Sequence, residues 1–190
     1  IYSVSRNPVY LYDWKTPRQI LTPGHFAYVK ISEGCSHKCS FCVIPKIRGR
    51  HRSRKIESII EEARYLISKG VKEINLIGQD TTLYGIDIYG RAALPKLLKR
   101  LTALEGTRWL RLMYAHPAHF SDELISVISG EERICKYIDL PIQHISDRIL
   151  KAMRRGTSRR SIDGLLTKLR RRIPGIVIRT AVIVGFPGET

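Results

Sequence analysis

Short apolar segments rich in β-branched residues alternate along this chain with segments whose apolar residues recur every three or four positions. This alternation of strand and helix patterns is typical of parallel βα units. The pattern predicts five strands, near residues 26–31, 71–77, 109–114, 137–140 and 176–184. It predicts helices near 56–67, 94–104, 121–128, 146–153 and 160–172. The predicted fold class is α/β, with a parallel sheet.

Residues 25–190 contain all of these patterns, so we predict that residues 1–24 are a lead-in or linker and the rest is one core domain. A chain of 190 residues with 43% hydrophobic content can bury one real core. We find no signal-peptide pattern and no apolar run long enough to cross a membrane. We therefore expect a cytoplasmic protein with no membrane partner.

The formal net charge of +16 favours a polyanionic partner such as RNA or the ribosome. Two basic runs contribute, over residues 48–55 and 168–172. For the second run we favour a solvated helix face. The first follows the cysteine segment described next, and for it a solvated face and contacts with a ligand or substrate are equally good interpretations.

Three cysteines, Cys35, Cys39 and Cys42, are spaced C-x3-C-x2-C, and the one other cysteine is Cys135. Three thiolates can hold three irons of a 4Fe–4S cluster and leave the fourth iron open, whereas most clusters have four cysteine ligands. A structural zinc site would need a fourth ligand that neither His37 nor Cys135 is well placed to supply. A disulfide is less favoured still, and we expect Cys135 to be a small buried hydrophobic residue. The triplet follows the first predicted strand, at the end where barrel enzymes carry their sites.

Distinctive loops follow the other predicted strands as well. Gly78–Gly85 follows the second, Tyr114–Pro117 the third, Leu140–Asp147 the fourth and Val184–Glu189 the fifth. Singly, each could be an ordinary turn or a capped loop. Because the carboxyl ends of parallel strands meet at one edge of a sheet, together they predict one shared site.

The cysteine spacing, with Phe41 just before the third cysteine, resembles that of the radical S-adenosylmethionine (SAM) superfamily. Together with the loops, it looks like the methylthiotransferases of that superfamily over about residues 25–190. The segments Gln79-Asp80-Thr81 and Ala115-His116-Pro117 resemble the RimO type, which acts on ribosomal protein S-twelve. The tRNA-modifying relatives (MiaB type) typically have Gln-Asn-Val and Ser-His-Pro at these places. The basic run over 48–55 and the Asp80-Thr81-Thr82 loop also favour the protein substrate.

The resemblance implies a partial parallel barrel, usually of six strands, so we expect this sequence to stop before the last βα unit. It implies a 4Fe–4S cluster on the three cysteines and SAM at the open iron, with no catalytic residue assigned beyond the cluster. Phe41 would lie against the adenine, and Gly78 and Gly185 would allow close approach to SAM. Gln143 and Arg179 are candidates for polar contacts with SAM, and for Arg179 a structural salt bridge is an equal alternative.

The resemblance further implies methylthiolation of the β-carbon of an aspartate of ribosomal protein S-twelve, with an electron donor such as flavodoxin or ferredoxin. Relatives carry a second 4Fe–4S cluster on three cysteines of an N-terminal domain, and a C-terminal TRAM domain, and this sequence contains neither. We therefore expect it to be incomplete for the full reaction. The alternatives are a tRNA adenosine methylthiotransferase and a non-enzymatic, basic RNA-binding module with a structural metal.

Overall fold

Seven strands and seven helices lie along residues 8–190, the part of the chain that the computed structural model describes. The strands are β1 (Phe26–Lys30), β2 (Ser32–Glu33), β3 (Arg52–Ser53), β4 (Glu73–Ile77), β5 (Trp109–Leu112), β6 (Ile134–Asp139) and β7 (Val177–Arg179). The helices are α1 (Ile44–Arg48), α2 (Ile56–Ser68), α3 (Ile86–Tyr89), α4 (Leu94–Thr102), α5 (Asp122–Gly130), α6 (Asp147–Ala152) and α7 (Arg159–Arg172). A short 3₁₀ turn covers Pro117–His119.

Five of the strands form one parallel sheet in the order β1-β4-β5-β6-β7. The register pairs Phe26 with Glu73 and Glu73 with Trp109, so the strands begin at similar levels. Each strand is therefore the neighbour of the parallel strand that follows it in the chain, as the sequence predicted. The carboxyl ends of all five strands lie at one edge of the sheet.

The core lies between this sheet and the helices that connect its strands. Alternate strand residues such as Val29, Leu76 and Leu112 are buried against apolar faces of α2, α4 and α5. In α4 the buried leucines are four positions or fewer apart, and each contributes about 2 kcal/mol by leaving water. Ser121 caps α5 by accepting a hydrogen bond from the Leu124 amide, as its sequence position predicted.

The fifth predicted strand is much shorter than the predicted 176–184. Regular pairing ends at Arg179, and only an isolated bridge joins Gln143 to Val182 beyond it. Gln143 has a φ of 72°, so the segment after β6 leaves the extended path that a longer ladder would need. Val184 is 82% exposed, which shows that a β-branched run alone overestimates strand length.

A small antiparallel pair that the sequence did not predict joins β2 to β3. It pairs Ser32 with Ser53 and Glu33 with Arg52. The pair brackets the cysteine segment, because β2 ends just before Cys35 and β3 begins ten residues after Cys42. It therefore closes the base of that loop.

Residues 8–25 contain no regular strand or helix, but they pack on the core. The Lys30 amide donates to Tyr12 Oη at 3.0 Å, and Arg18 pairs with Glu62 at 2.7 Å. The predicted boundary at residue 24 stays a prediction, and the part of the predicted lead-in over residues 1–7 lies outside the described residues. Among the helices described, none has the length and apolar character needed to cross a membrane.

Candidate cluster and cofactor site

A cavity of about 370 Å³ lies at the carboxyl ends of the strands. It has the size of a small-molecule site. Side chains from the cysteine loop and from the loops after four strands line it: Cys35, His37, Cys39, Phe41, Cys42, Ile44, Gln79, Tyr114, Ala115, His116, Asp139, Pro141, Gln143, Arg155, Arg179 and Ala181. The predicted convergence of the loops on one site is therefore confirmed for most of them.

The cysteine loop is held in place by backbone contacts at both of its ends. The Cys35 amide donates to Gly49 O at 3.1 Å, and the Ser40 amide donates to Met153 O at 3.0 Å. Gly34 has a φ of 78°, and a Cβ atom there would lie 2.6 Å from Gly49 O. Only glycine satisfies both conditions, so this residue allows the chain to turn sharply from β2 into the loop.

All four cysteines are free thiols, and three of them share the cavity. Cys35 is buried, which raises the pKa of its thiol, while Cys39 and Cys42 are partly exposed. Cys135 lies within β6, away from the cavity lining, and is only partly buried. Cys135 is therefore less buried than expected, and its position does not make it a candidate ligand.

This donor set fits a cluster that is held by three cysteines. Soft sulfur donors favour iron–sulfur clusters or zinc over harder cations. Three thiols and no fourth one line the cavity, and Arg155 Nη1 lies 3.7 Å from Cys39 Sγ. The residues present therefore suit a 4Fe–4S cluster with one open iron better than a closed zinc site.

Arg179 forms the structural salt bridge that was one of its two alternatives, and its contact with SAM stays a prediction. Its guanidinium donates to Asp139 Oδ1 at 2.7 Å, and Asp139 is fully buried. This hydrogen bond raises the pKa of Arg179. The Arg179 side chain is still 57% exposed and lines the cavity, so it keeps free donors for an anionic ligand.

Phe41 and Gln143 also line the cavity, whereas Gly78 and Gly185 do not. A Cβ atom on Gly78 would lie 2.6 Å from Ser32 Oγ, so the packing of the β4 end against β2 explains this glycine. Gly185 has a φ of 77° with open space around it, and its amide donates to Glu189 Oε2 at 2.7 Å. The predicted contacts of these two glycines with SAM stay predictions.

Three histidines surround the buried carboxylate of Asp80, an arrangement that the sequence analysis missed. His37 Nε2 lies 2.7 Å from Asp80 Oδ2, and His119 Nδ1 lies 3.3 Å from the same oxygen. Thr82 donates from its amide and hydroxyl to Asp80 Oδ1. Burial raises the pKa of Asp80, but the hydrogen bonds from His119, His37 and Thr82 outweigh it and hold the pKa well below its usual range. The carboxylate is therefore an anion at neutral pH.

The rings of these histidines are stacked, which favours a hydrogen-bonded network over a metal site. The His37 ring lies 4.2 Å from that of His116 at an angle of 15°, and 5.1 Å from that of His119 at 18°. The ligand atoms of the three histidines and Asp80 are within 4.8 Å of one another. However, a metal ion lies near the plane of each imidazole that binds it, and nearly parallel stacked planes do not meet at one point.

His116 is a neutral ring in this network, and it accepts a hydrogen bond without donating one to any described residue. Its Nδ1 accepts a hydrogen bond from the Ala118 amide, which assigns the ring proton to Nε2. Burial, with the positive charge of Arg155 next in importance, lowers the pKa of His116 to about 3. Its Nε2 is buried without a hydrogen-bond partner. The spacing of His116 and His119, with Pro117 between them, was the sequence signal for this network.

The basic run over residues 48–55 does not form a ligand or substrate surface at the cavity, because none of its residues lines the cavity. Arg54 is 2% exposed and pairs with Glu62 at 2.5 Å, so it is part of the core. Thr81 and Thr82 are also buried, and Thr81 donates to Met113 O. The buried residues Arg54, Thr81 and Thr82 therefore give no support to a protein substrate, and the role of the exposed residues of the run stays a prediction.

The second basic run lies on the exposed part of α7, as expected for a solvated face. Lys168 and Arg172 both approach Asp122 of α5, at 3.2 and 3.4 Å. All three side chains are well exposed, so these pairs contribute little to stability.

Comparisons with curated proteins find close relatives over nearly all of this chain. The chain is 53% identical to "Ribosomal protein uS12 methylthiotransferase RimO" of Opitutus terrae over 98% of its length, which is 42% of that relative. It is 54% identical to the protein of the same name from Caldanaerobacter subterraneus over 97% of its length, again 42% of the relative. The chain thus spans less than half the length of these curated relatives.

Solved structures show a similar fold at low sequence identity. The radical S-adenosylmethionine methyltransferase TsrM from Kitasatospora setae superposes with a TM-score of 0.70 over 98% of this chain and 36% of that one, at 21% identity. The cobalamin-dependent S-adenosylmethionine radical enzyme OxsB gives a TM-score of 0.65 over 82% of this chain and 23% of that one, at 15% identity. Residues 29–190 match the family model described as the radical SAM superfamily. With the fold, the cysteine loop and this match in agreement, the chain belongs to the radical SAM superfamily.

Proposed function

We propose that this chain is the catalytic core of a methylthiotransferase that modifies an aspartate of ribosomal protein uS12 at its β-carbon. The observation that carries the proposal is the cavity in which Cys35, Cys39 and Cys42 meet the loops of four strand ends. Identities of 50–54% to proteins named RimO support the choice of substrate. Because this chain covers only about two fifths of those relatives, the complete reaction is proposed for a longer protein.

We propose that the three cysteine thiolates hold a 4Fe–4S cluster and leave one iron for SAM. When bound and reduced, such a cluster would supply the electron for cleavage of SAM. The chain itself positions the thiolates: the Cys35 amide is tied to Gly49, and Ser40 is tied to the segment after α6. The β2–β3 pair and these contacts fix the loop before any ligand arrives.

The residues around the cysteines suit the parts of SAM. Phe41 offers an aromatic ring to the adenine, and Gln143 offers amide groups to polar atoms of the ligand. Arg179 keeps donors free while paired with Asp139 and is suited to the carboxylate. We propose that Gly78, which precedes Gln79 of the lining, and Gly185 let the backbone pass close to the ligand.

The sulfur that is inserted requires a second cluster, which we assign to a part of the relatives that this chain does not match. A flavodoxin or a ferredoxin would supply the electron, since one-electron reduction of the cluster is required. The exposed basic residues are suited to contact with RNA when uS12 is part of the ribosomal subunit.

The cluster is tested by anaerobic reconstitution of the chain with iron and sulfide. We expect a brown absorbance that bleaches with dithionite, and release of 5′-deoxyadenosine when SAM is added. Cys35→Ala, Cys39→Ala and Cys42→Ala should each lose iron and SAM cleavage, while the matched control Cys135→Ala should keep both. Loss of the cluster in Cys135→Ala, or a colourless zinc site in the wild-type chain, would refute the ligand assignment.

The substrate is tested with the full-length enzyme, reconstituted with both clusters. Intact uS12 and unmodified tRNA are supplied in parallel with SAM and a reductant, and the products are weighed by mass spectrometry. We expect a methylthio group on the protein only. A mass gain on tRNA with none on uS12 would overturn the substrate and leave the radical SAM chemistry in place.

A further inference from the structure

Arg155 is a buried cation that lies directly beside the cysteine loop. It follows α6, where its amide donates to Leu150 O at 3.0 Å, and its side chain lines the cavity. The residue is only 9% exposed. The neighbouring Arg154, in contrast, is exposed and does not line the cavity.

The guanidinium of Arg155 is not neutralised by a carboxylate. Its Nη2 donates to Pro141 O at 2.6 Å, Nη1 approaches Cys39 Sγ at 3.7 Å, and Nε is buried without a partner. Among residues 8–190 no carboxylate oxygen forms an ion pair with it, whereas Arg54 and Arg179 each pair with an acid. A buried charge is stable only when an anion or several hydrogen bonds compensate it. The hydrogen-bond partner of Nη1 is Cys39 Sγ, an atom that is anionic when it is bound to a metal.

We propose that Arg155 is the fixed counter-charge of the iron–sulfur cluster, donating to Cys39 Sγ and raising the reduction potential of the cluster. The inference rests on the proposed cluster site. One-electron reduction adds negative charge, and a guanidinium within reach of a ligand sulfur stabilises the reduced form more than the oxidised form. Net charge and hydrogen bonds to the sulfurs are among the factors that set such potentials. Arg155 thus acts on the reduction potential of the cluster through Cys39. The hydrogen bond from Nη2 to Pro141 O holds the guanidinium so that Nη1 faces Cys39 Sγ.

The test is a redox titration of the reconstituted chain, followed by electron paramagnetic resonance of the reduced cluster. Arg155→Met removes the charge with little change in length, Arg155→Lys keeps the charge, and the matched control Arg154→Met removes an exposed charge one residue away. We expect Arg155→Met to reduce the ratio of reduced to oxidised cluster about tenfold at a fixed potential, which is about 59 mV for one electron. Arg155→Lys should recover most of that change, and Arg154→Met should match the wild type.

Each outcome separates this inference from the proposed function. If the wild-type chain binds no cluster, the proposed function fails. If the cluster forms and Arg155→Met titrates like the wild type, only the role of Arg155 fails. The role of Arg155 also fails if Arg155→Met weakens SAM binding while the reduction potential stays unchanged, because the guanidinium would then bind SAM and not the cluster. If Arg155→Met folds by circular dichroism but holds no iron, retention of iron in Arg155→Lys supports the counter-charge, and loss of iron in both variants refutes it.

Discussion

His37 Nε2 and Asp80 Oδ2 lie 2.7 Å apart, and this contact joins the cysteine loop to the loop after β4. In the sequence, His37 lies between two of the proposed cluster ligands, Cys35 and Cys39. Its hydrogen bond to Asp80 therefore anchors the cysteine loop to the core. Asp80 receives further hydrogen bonds from His119 and Thr82. One buried carboxylate therefore organises three separate loops around the cavity.

Asp80→Asn should destabilise the chain and loosen the cysteine loop. The substitution keeps the shape but removes the charge to which the histidines donate, and hydrogen bonds to charged groups contribute about 1.5–3 kcal/mol each. We expect a loss of about 2 kcal/mol in urea-induced unfolding, with reduced iron uptake. The control Asp163→Asn changes an exposed pair with Arg159 and should cost less than about 0.5 kcal/mol. Equal stabilities for the two variants would contradict the organising role of Asp80.

His116 should make the iron-free chain less stable as the pH falls. Its pKa is lowered to about 3 in the folded state, against about 6.5 in an unfolded chain, so the unfolded state binds more protons between these values. Protonation therefore favours unfolding below pH 6.5, by at most about 1.4 kcal/mol per pH unit. His116→Gln should show a flatter dependence of the unfolding free energy on pH. His25→Gln, which alters an exposed histidine, should keep the wild-type slope, and equal slopes in all three proteins would refute the assignment.

Arg54→Met should be strongly destabilising although Arg54 belongs to a basic run. The substitution leaves the Glu62 carboxylate, 6% exposed, with only the partly exposed Arg18 as a partner, and breaking a buried pair costs up to about 3–5 kcal/mol. Thermal and urea unfolding measure the effect, and the exposed Arg50→Met should change stability by less than about 0.5 kcal/mol. The double variant Arg54→Met with Glu62→Leu should regain part of the loss, because no isolated buried charge remains. Failure to regain any stability would show that the arginine acts through its packing and its other hydrogen bonds, not through the pair with Glu62.

Gly78→Ala tests whether this glycine is required for packing against Ser32 or for close approach of SAM. The new methyl group would lie 2.6 Å from Ser32 Oγ, and overpacking of this kind costs about 1–3 kcal/mol. Adding Ser32→Ala removes the opposing oxygen and should restore stability in chemical unfolding. Calorimetric titration of the reconstituted double variant with SAM then measures its affinity for SAM. Restored stability with lost SAM affinity would support the proposed close approach, and full recovery of both would assign Gly78 to packing.

The order of the strands could be predicted because alternating strand and helix patterns leave few topologies for a parallel sheet. The three cavity cysteines could be found because their spacing is local. The histidine network could not, since His37, Asp80 and His116 come from three loops whose approach depends on the register of β1, β4 and β5. The run containing Arg54 was interpreted as a surface because a sequence shows charges directly. The pairing of Arg54 with the buried Glu62 is seen only in the folded structure.

The contacts of Ser40 have a consequence for the biosynthesis of the enzyme. Its hydroxyl donates to Ala152 O, a partner 112 residues later in the chain, and its amide donates to Met153 O. A ribosome releases the cysteines long before it has made the segment that holds them in place. The three thiols therefore reach their places in the cavity only after Ala152 and Met153 have packed against the cysteine loop.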